Sequence, residues 1–205
     1  RKFIDFASDK DRMIHAMNRT RRKQSKYGPK SARGLWAYVK RLNEDRAKKI
    51  SAAIVEFASQ HSVDTIVMEH LDFKGCKKRG SKAQRLSMWN HGIIREKVEQ
   101  KAHLLGIRIA TICAWKTSAL AFDGSGSVTR DDNNHALATF TTGKQYNCAL
   151  SASYNIGARY FIRELLKSLP ATEESRVKAK VPDAGRRTSC TLSTLRMLVK
   201  ELSAA

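Results

Sequence analysis

The chain has 205 residues, 41% of them apolar, enough for one core and an appended subdomain. Its 39 Lys and Arg against 19 Asp and Glu leave a net charge of +20, which points to a polyanion bound by counterion release. No apolar run approaches the roughly 18–20 residues that span a bilayer. Membrane partners are therefore not expected, and the four cysteines (Cys76, Cys113, Cys148, Cys190) lack zinc-knuckle or disulfide-framework spacing.

In chain order, Phe3 to Ala7 reads as a short strand. Ser8 with Asp11 three residues on resembles a capping box, and Met13, Ile14 and Met17 mark an apolar helix face. The basic run Arg19, Arg21, Arg22, Lys23 and Lys26 follows, and Tyr27-Gly28-Pro29 is a stop signal. Ser31 is the candidate N-cap of a longer helix, in which Leu35, Val39, Leu42, Ile50, Ile54 and Phe57 form one apolar stripe. Thr65 to Met68 suits a strand buried on both faces.

A basic, Gly-punctuated loop covers Gly75 to Lys82. The pattern predicts a helix from Leu86 to Leu105, ended by Gly106 in the C′ role, and a strand over Ile107 to Ile112. Residues 122–144 are rich in Gly, Asp, Asn and Thr and read as an irregular insertion or small hairpin. Leu150 to Leu169 returns to helix and is stopped by Pro170. The chain is then polar to about Thr191, with a final helix from Leu192 to Leu202 docking back. This order indicates an α/β architecture.

Glu69 directly ends the strand Thr65–Met68. Ligands of α/β sheets sit in the crevice at the carboxyl ends of strands, and metal-dependent phosphodiester hydrolysis needs several carboxylates converging on two cations. One Glu after one strand is a weak signal by itself.

The stretch Tyr146-Asn147-Cys148-Ala149-Leu150-Ser151-Ala152-Ser153-Tyr154-Asn155-Ile156-Gly157-Ala158-Arg159 resembles the last RuvC motif of the TnpB and type V CRISPR effector family. Val67-Met68-Glu69-His70-Leu71 is similar to its middle motif. Between them the helix, the strand after Gly106 and the Thr117-Ser118 turn follow the family order, so the likeness covers roughly residues 1–167. It implies an RNase H-like (RuvC) mixed sheet flanked by helices, with a small irregular insert in place of a zinc ribbon. On this reading 1–121 is the first part of the core with a basic helical insertion at 8–61. Residues 122–145 are the insert, 146–169 the last core motif and helix, and 170–205 a basic C-terminal tail.

The function implied is RNA-guided cleavage of target DNA by three acids and two Mg²⁺ or Mn²⁺ ions, with guide RNA and target DNA as partners, in a prokaryotic cytoplasm. Glu69 matches the middle acid and metal ligand. Position 149, where the last acid belongs, is Ala. This copy is therefore expected to be impaired, and the intact surroundings favour a deliberate Asp→Ala change. The chain opens at Arg1-Lys2-Phe3 without an initiator Met, so the first acid is expected on a strand of an upstream part of the same protein. Leu120, Asp123, Thr142 and Gln145 stand near the family's zinc-binding Cys pairs, so no zinc is expected, and the insert should pack through Phe122, Val128, Leu137 and Phe140.

For nucleic acid, Arg19, Arg21, Arg22, Lys23, Lys26, Lys30 and Arg33 are read as a backbone rail, and Lys77, Lys78, Arg79, Lys82 and Arg85 as a loop tracking a single strand. Trp115 is a candidate base-stacking residue, Arg130 a candidate for reaching the scissile phosphate, and Ser118 and Asn155 belong to the family motifs. Trp89 is expected in the core, and Asp131 and Asp132 as turn formers. Two rival readings share the charge: a nuclease-dead RNA-guided repressor or targeting protein, and a basic structural RNA-binding protein. The former differs only at the carboxylates; the latter gives no special role to Glu69 or Asn155-Ile156.

Overall fold

The computed structural model describes residues 3–4, 6–71, 90–186 and 188–204. The chain divides into two compact units, one of Arg1–Ile66 and Phe73–Ile109, the other of Val67–Asp72 and Ala110–Ala205.

The first unit is helical. Helix α1 spans Ala7–Tyr27 and α2 spans Arg33–Gln60, joined by a 3₁₀ turn at Pro29–Ala32; α3 spans His91–Leu104. Gly28, at φ +87°, turns the chain where a side chain would be strained. Met13 and Met17 of α1 pack on Val39 of α2, and Lys49 of α2 bonds Asp9 of α1 at 2.9 Å, so the two helices run antiparallel. Asp9 and then Asp45 hold the Lys49 ammonium above its ordinary pKa.

α2 packs against both α1 and α3, and this changes its buried stripe. The buried positions are Val39, Asn43, Ala47, Ser51, Val55 and Ala58, mostly four residues apart. The expected stripe of Leu35, Leu42, Ile50, Ile54 and Phe57 is only half-buried at its flanks. A helix with neighbours on two sides needs small residues at the line of closest approach. The predicted caps also differ: α1 begins after Phe6 and α2 after Ala32, neither with a side-chain cap. Ser31 instead donates to the Gly28 carbonyl at 2.7 Å.

The strand expected over Phe3 to Ala7 does not form among the described residues. Phe3 and Ile4 are exposed and unpaired, and Ala7 already begins α1. Extended backbone is stable only with a hydrogen-bonded neighbour. At the other end α3 closes as sequence suggested. Ile107 N–H donates to Ala102 O and Gly106 N–H to His103 O, a Schellman motif with Gly106 at φ +68°.

Strands β1 (Thr65–His70) and β2 (Arg108–Cys113) form a two-stranded sheet. β1 is half-buried up to Glu69 and exposed at His70, rather than buried on both faces. Its Val67 joins Ala110 and Ile112 of β2 and Ile156 and Tyr160 of α4 (Cys148–Ser168) in one apolar cluster.

Residues 120–147 form a small antiparallel sheet. β3 (Thr129–Arg130) pairs with β4 (Leu137–Thr139), which pairs with β5 (Gln145–Asn147) in the register Ala138 to Tyr146. Its core is Ala121, Ala138, Phe140 and Cys148 with Phe122, Val128 and Tyr146 packed on it. Phe122 stands 5.0 Å from the Tyr146 ring and 5.6 Å from Phe140 in non-parallel contacts.

The segment expected as a basic tail is folded. Helix α5 (Ala171–Lys180), a 3₁₀ turn at Pro182–Gly185, and α6 (Leu192–Ser203) bury Val177, Val181, Ala184, Cys190 and Leu198 against Ile162 and Leu166 of α4. These apolar residues are few and widely spaced, so the charged background masks them in sequence. Full burial of one such side chain, as at Leu198, stabilises by about 1.5–3 kcal/mol. Thr191 and Thr194 form a reciprocal capping box at the head of α6.

The close approach along α2 gives a direct test. Ala47→Leu should overpack the stripe and destabilise the chain by about 1–3 kcal/mol, read as a lower urea midpoint. An unchanged midpoint would show that α2 is not clamped on two sides.

Candidate active site

Glu69 and the residues that touch it lie within the second unit. Glu69 is the fifth of six residues of β1, half-buried, and its Oε1 accepts a 2.5 Å hydrogen bond from Thr117 Oγ1. That length belongs to a hydroxyl donating to a carboxylate. The Thr117 hydroxyl also lies 3.1 Å from the Ala114 carbonyl, but it has a single proton and the shorter contact takes it.

The turn that presents Thr117 is held from several directions. Lys116 adopts a left-handed φ of +59°, a conformation that costs a non-glycine residue free energy and persists only when neighbours impose it. Asn155, two turns into α4 and fully buried, donates through Nδ2 to Thr117 O at 3.0 Å and Leu120 O at 2.9 Å. Its Oδ1 accepts from Leu192 N–H at 3.3 Å. Arg159, also buried, donates four hydrogen bonds to the carbonyls of Cys113, Trp115, Thr188 and Cys190. Burial pushes the Arg159 guanidinium below its ordinary pKa, while Cys190, Cys113 and Glu69 pull it back up. Arg159 is therefore a fixed positive charge within electrostatic reach of the Glu69 carboxylate.

Ser118 connects this turn to the head of α4. Its hydroxyl accepts from Arg130 Nη2 at 2.7 Å, and its carbonyl accepts from Cys148 Sγ at 3.5 Å. Asn147 caps α4 by accepting from Leu150 N–H at 3.0 Å. Ala149 follows as an exposed residue of the first turn, where no acidic residue stands. Thr117 thus touches Glu69, and its neighbour Ser118 touches both Arg130 and the residue before Ala149.

The other expected site residues fall differently. Asn155, expected at nucleic acid, is sealed inside and spends its amide hydrogens on backbone carbonyls, so its role here is to pin the turn. Trp115 is 64% exposed, with its ring open to solvent. Arg19, Arg21, Arg22, Lys23, Lys26, Lys30 and Arg33 are all exposed, on or beside α1 in the first unit. Lys77, Lys78, Arg79, Lys82, Arg85 and Trp89 lie outside the described residues. Asp131 Oδ1 accepts from the N–H groups of Asn133 and Asn134, as a turn former does. Reading the sequence missed Arg159 and the hydroxyl of Thr117; an arginine in the apolar face of a helix was the only signal for the former.

The donor set was set against a divalent cation. Two-metal hydrolysis needs several convergent carboxylates, yet Glu69 is the carboxylate that the described contacts bring to this turn, and one of its oxygens is occupied by Thr117. Among the described residues no group of three His, Cys, Asp or Glu side chains could hold an ion. The described residues supply too few converging carboxylates to fit resident Mg²⁺ or Mn²⁺.

No protein-family model matches the chain, and no curated protein does. A solved structure that it resembles is the cryo-EM structure of a Cas12f1–sgRNA–target DNA complex, with a TM-score of 0.51 and 17% identity over 70% of this chain and 41% of that chain. The likeness is one of fold, mixed α/β with helices and small sheets. The chain spans about two fifths of the length of that Cas12f1 chain. No helix among the described residues is long and apolar enough to cross a membrane.

Asn155→Ala should leave the buried Thr117 and Leu120 carbonyls without donors. A loss of about 2–3 kcal/mol is expected in urea unfolding; a loss near zero would mean that the turn is held by other contacts.

Proposed function

We propose that the chain is the RuvC-like, RNase H-type part of an RNA-guided DNA endonuclease related to the TnpB and type V effectors, and that this copy holds guide RNA and target DNA without cutting. The observation that carries this reading is the chain of contacts from Glu69 through Thr117 and Ser118 to the first turn of α4. A strand-end carboxylate and a helix head are tied to one turn, and the residue that follows the helix-head Cys148 is an exposed alanine.

Each part supports a step short of cleavage. Arg130 is exposed and anchored on Ser118, so it can take a phosphate oxygen at the mouth of the turn. The head of α4 adds partial positive charge from its N–H groups. Glu69, oriented by Thr117, is one ligand where the chemistry requires several. The exposed cations of α1 can neutralise backbone phosphates without reading sequence.

The role of a basic structural RNA-binding protein is less favoured, because it gives no reason for a short hydroxyl–carboxylate bond at the strand end. A nuclease-dead targeting protein differs from the proposal only in whether position 149 is alanine by nature.

The test is restoration. The longest natural polypeptide containing this chain, loaded with guide RNA, is given Ala149→Asp and assayed for cleavage of labelled target DNA with Mg²⁺ or Mn²⁺. Cleavage is expected to appear in Ala149→Asp and to vanish in the double variant Glu69→Gln/Ala149→Asp. No cleavage in Ala149→Asp, or equal cleavage in both variants, would show that these residues do not form the nuclease site. An Asp in the first turn should also stabilise α4 by about 0.3–1 kcal/mol, a thermal-melt control for folding.

A further inference from the structure

The α1–α2 hairpin carries a groove of about 630 Å³, within the range of small-ligand sites. Arg12, His15, Arg19 and Arg22 line one wall, and Leu35 and Tyr38 of α2 line the other. The α1 residues recur at alternating intervals of three and four, so they share one helix face. From Arg12 to Arg22 that face runs about 15 Å at 1.5 Å per residue.

Two features separate this groove from an ordinary solvated surface. First, its cations are uncompensated. Elsewhere on the hairpin Lys49 is held by Asp9 and Asp45, and Lys40 stands 3.9 Å from Glu44. No carboxylate lines the groove, and Arg12, Arg19 and Arg22 pair with none among the described residues. Second, Tyr38 keeps 41% of its surface in water beside these guanidinium groups. A row of cations alone suits any polyanion. A concave site that adds an aromatic face suits a ligand with both phosphate and a free planar ring.

A duplex offers phosphates but keeps its base faces stacked inside. An unstacked nucleotide offers both. We infer that this groove holds an unpaired nucleotide of a single strand, its base against Tyr38 and Leu35 and its flanking phosphates on Arg12, Arg19 and Arg22. This rests on the nucleic-acid-binding reading above and specifies where, and in which form, the strand is gripped. The strand can be RNA or displaced DNA, since the recognising chemistry is the same for both.

The experiment is fluorescence anisotropy of the whole chain with labelled oligouridylate, oligothymidylate and duplex DNA. Tyr38→Ala should weaken single-strand binding about tenfold or more, with Tyr38→Phe near the unaltered chain and duplex binding unmoved. Arg12→Gln/Arg22→Gln should flatten the salt dependence for single strands by about 1.4 logarithmic units per decade of salt, roughly 0.7 per lost contact. A larger effect on the uridylate or on the thymidylate supports the groove and names its strand.

Tyr38→Ala binding single strands as tightly as the unaltered chain would overturn the inference and leave the proposed function standing. So would an equal loss on duplex, which would mark a general rail. An unaltered chain that binds none of the three probes would overturn the proposed function and the groove together.

Discussion

The candidate site depends on one hydroxyl. Thr117 donates to Glu69 at the end of β1, and the peptide around it is clamped by Asn155 from α4 and by the left-handed turn at Lys116. Remove the hydroxyl and Glu69 loses the partner that fixes its rotamer. Remove Asn155 and the turn loses the donors that keep two buried carbonyls satisfied. The geometry of the candidate site is thus set by hydrogen bonds from uncharged donors on rigid elements, with Arg159 within electrostatic reach of the carboxylate.

That division matters for what the site can do. Arg159 binds four carbonyls and is buried, so it acts as a fixed countercharge and is not available to a ligand. Arg163 adds a bond to Thr111 O on the same strand, and since Thr111 and Cys113 alternate, two guanidinium groups cover one edge of β2. Among the described residues, exposed cations include Arg130 at the turn and Arg12, Arg19 and Arg22 along α1.

Where periodicity or a terminating residue was strong, the fold was legible in the sequence. Gly106 marked the end of α3 through a Schellman turn, Pro170 marked the end of α4, and the amphipathic pattern after Thr191 located α6 within a residue. The strand before Glu69 was found because a continuous apolar run preceded it. Failures came where tertiary contacts decide. Small residues on α2 became its buried line because two helices press on it, a fact no single-helix pattern contains. Ser8 and Ser31 looked like caps, but the chain entered both helices without them. The folded segment between Pro170 and Thr191 was hidden because a handful of apolar residues can seal a core when each falls on an inward face.

The candidate site was half legible. Glu69 and position 149 were singled out by residue type and by likeness to family motifs, and Thr117-Ser118 was noted as a turn. That the turn binds the strand-end carboxylate by its hydroxyl and the helix head by its carbonyl depends on long-range packing, as does the burial of Asn155. A polar residue in a motif reads equally well as ligand-facing or as an internal pin, and only burial separates the two.

The proposal that Glu69 and position 149 can share one cation rests on the turn that touches both Glu69 and Cys148. It is tested most directly by calorimetric titration of Mn²⁺ into the unaltered chain, Ala149→Asp, Glu69→Gln and the double variant. The account predicts that Ala149→Asp gains Mn²⁺ binding which Glu69→Gln abolishes, while the unaltered chain binds weakly or not at all. Gain of binding in Ala149→Asp that survives Glu69→Gln, or no gain, would contradict it.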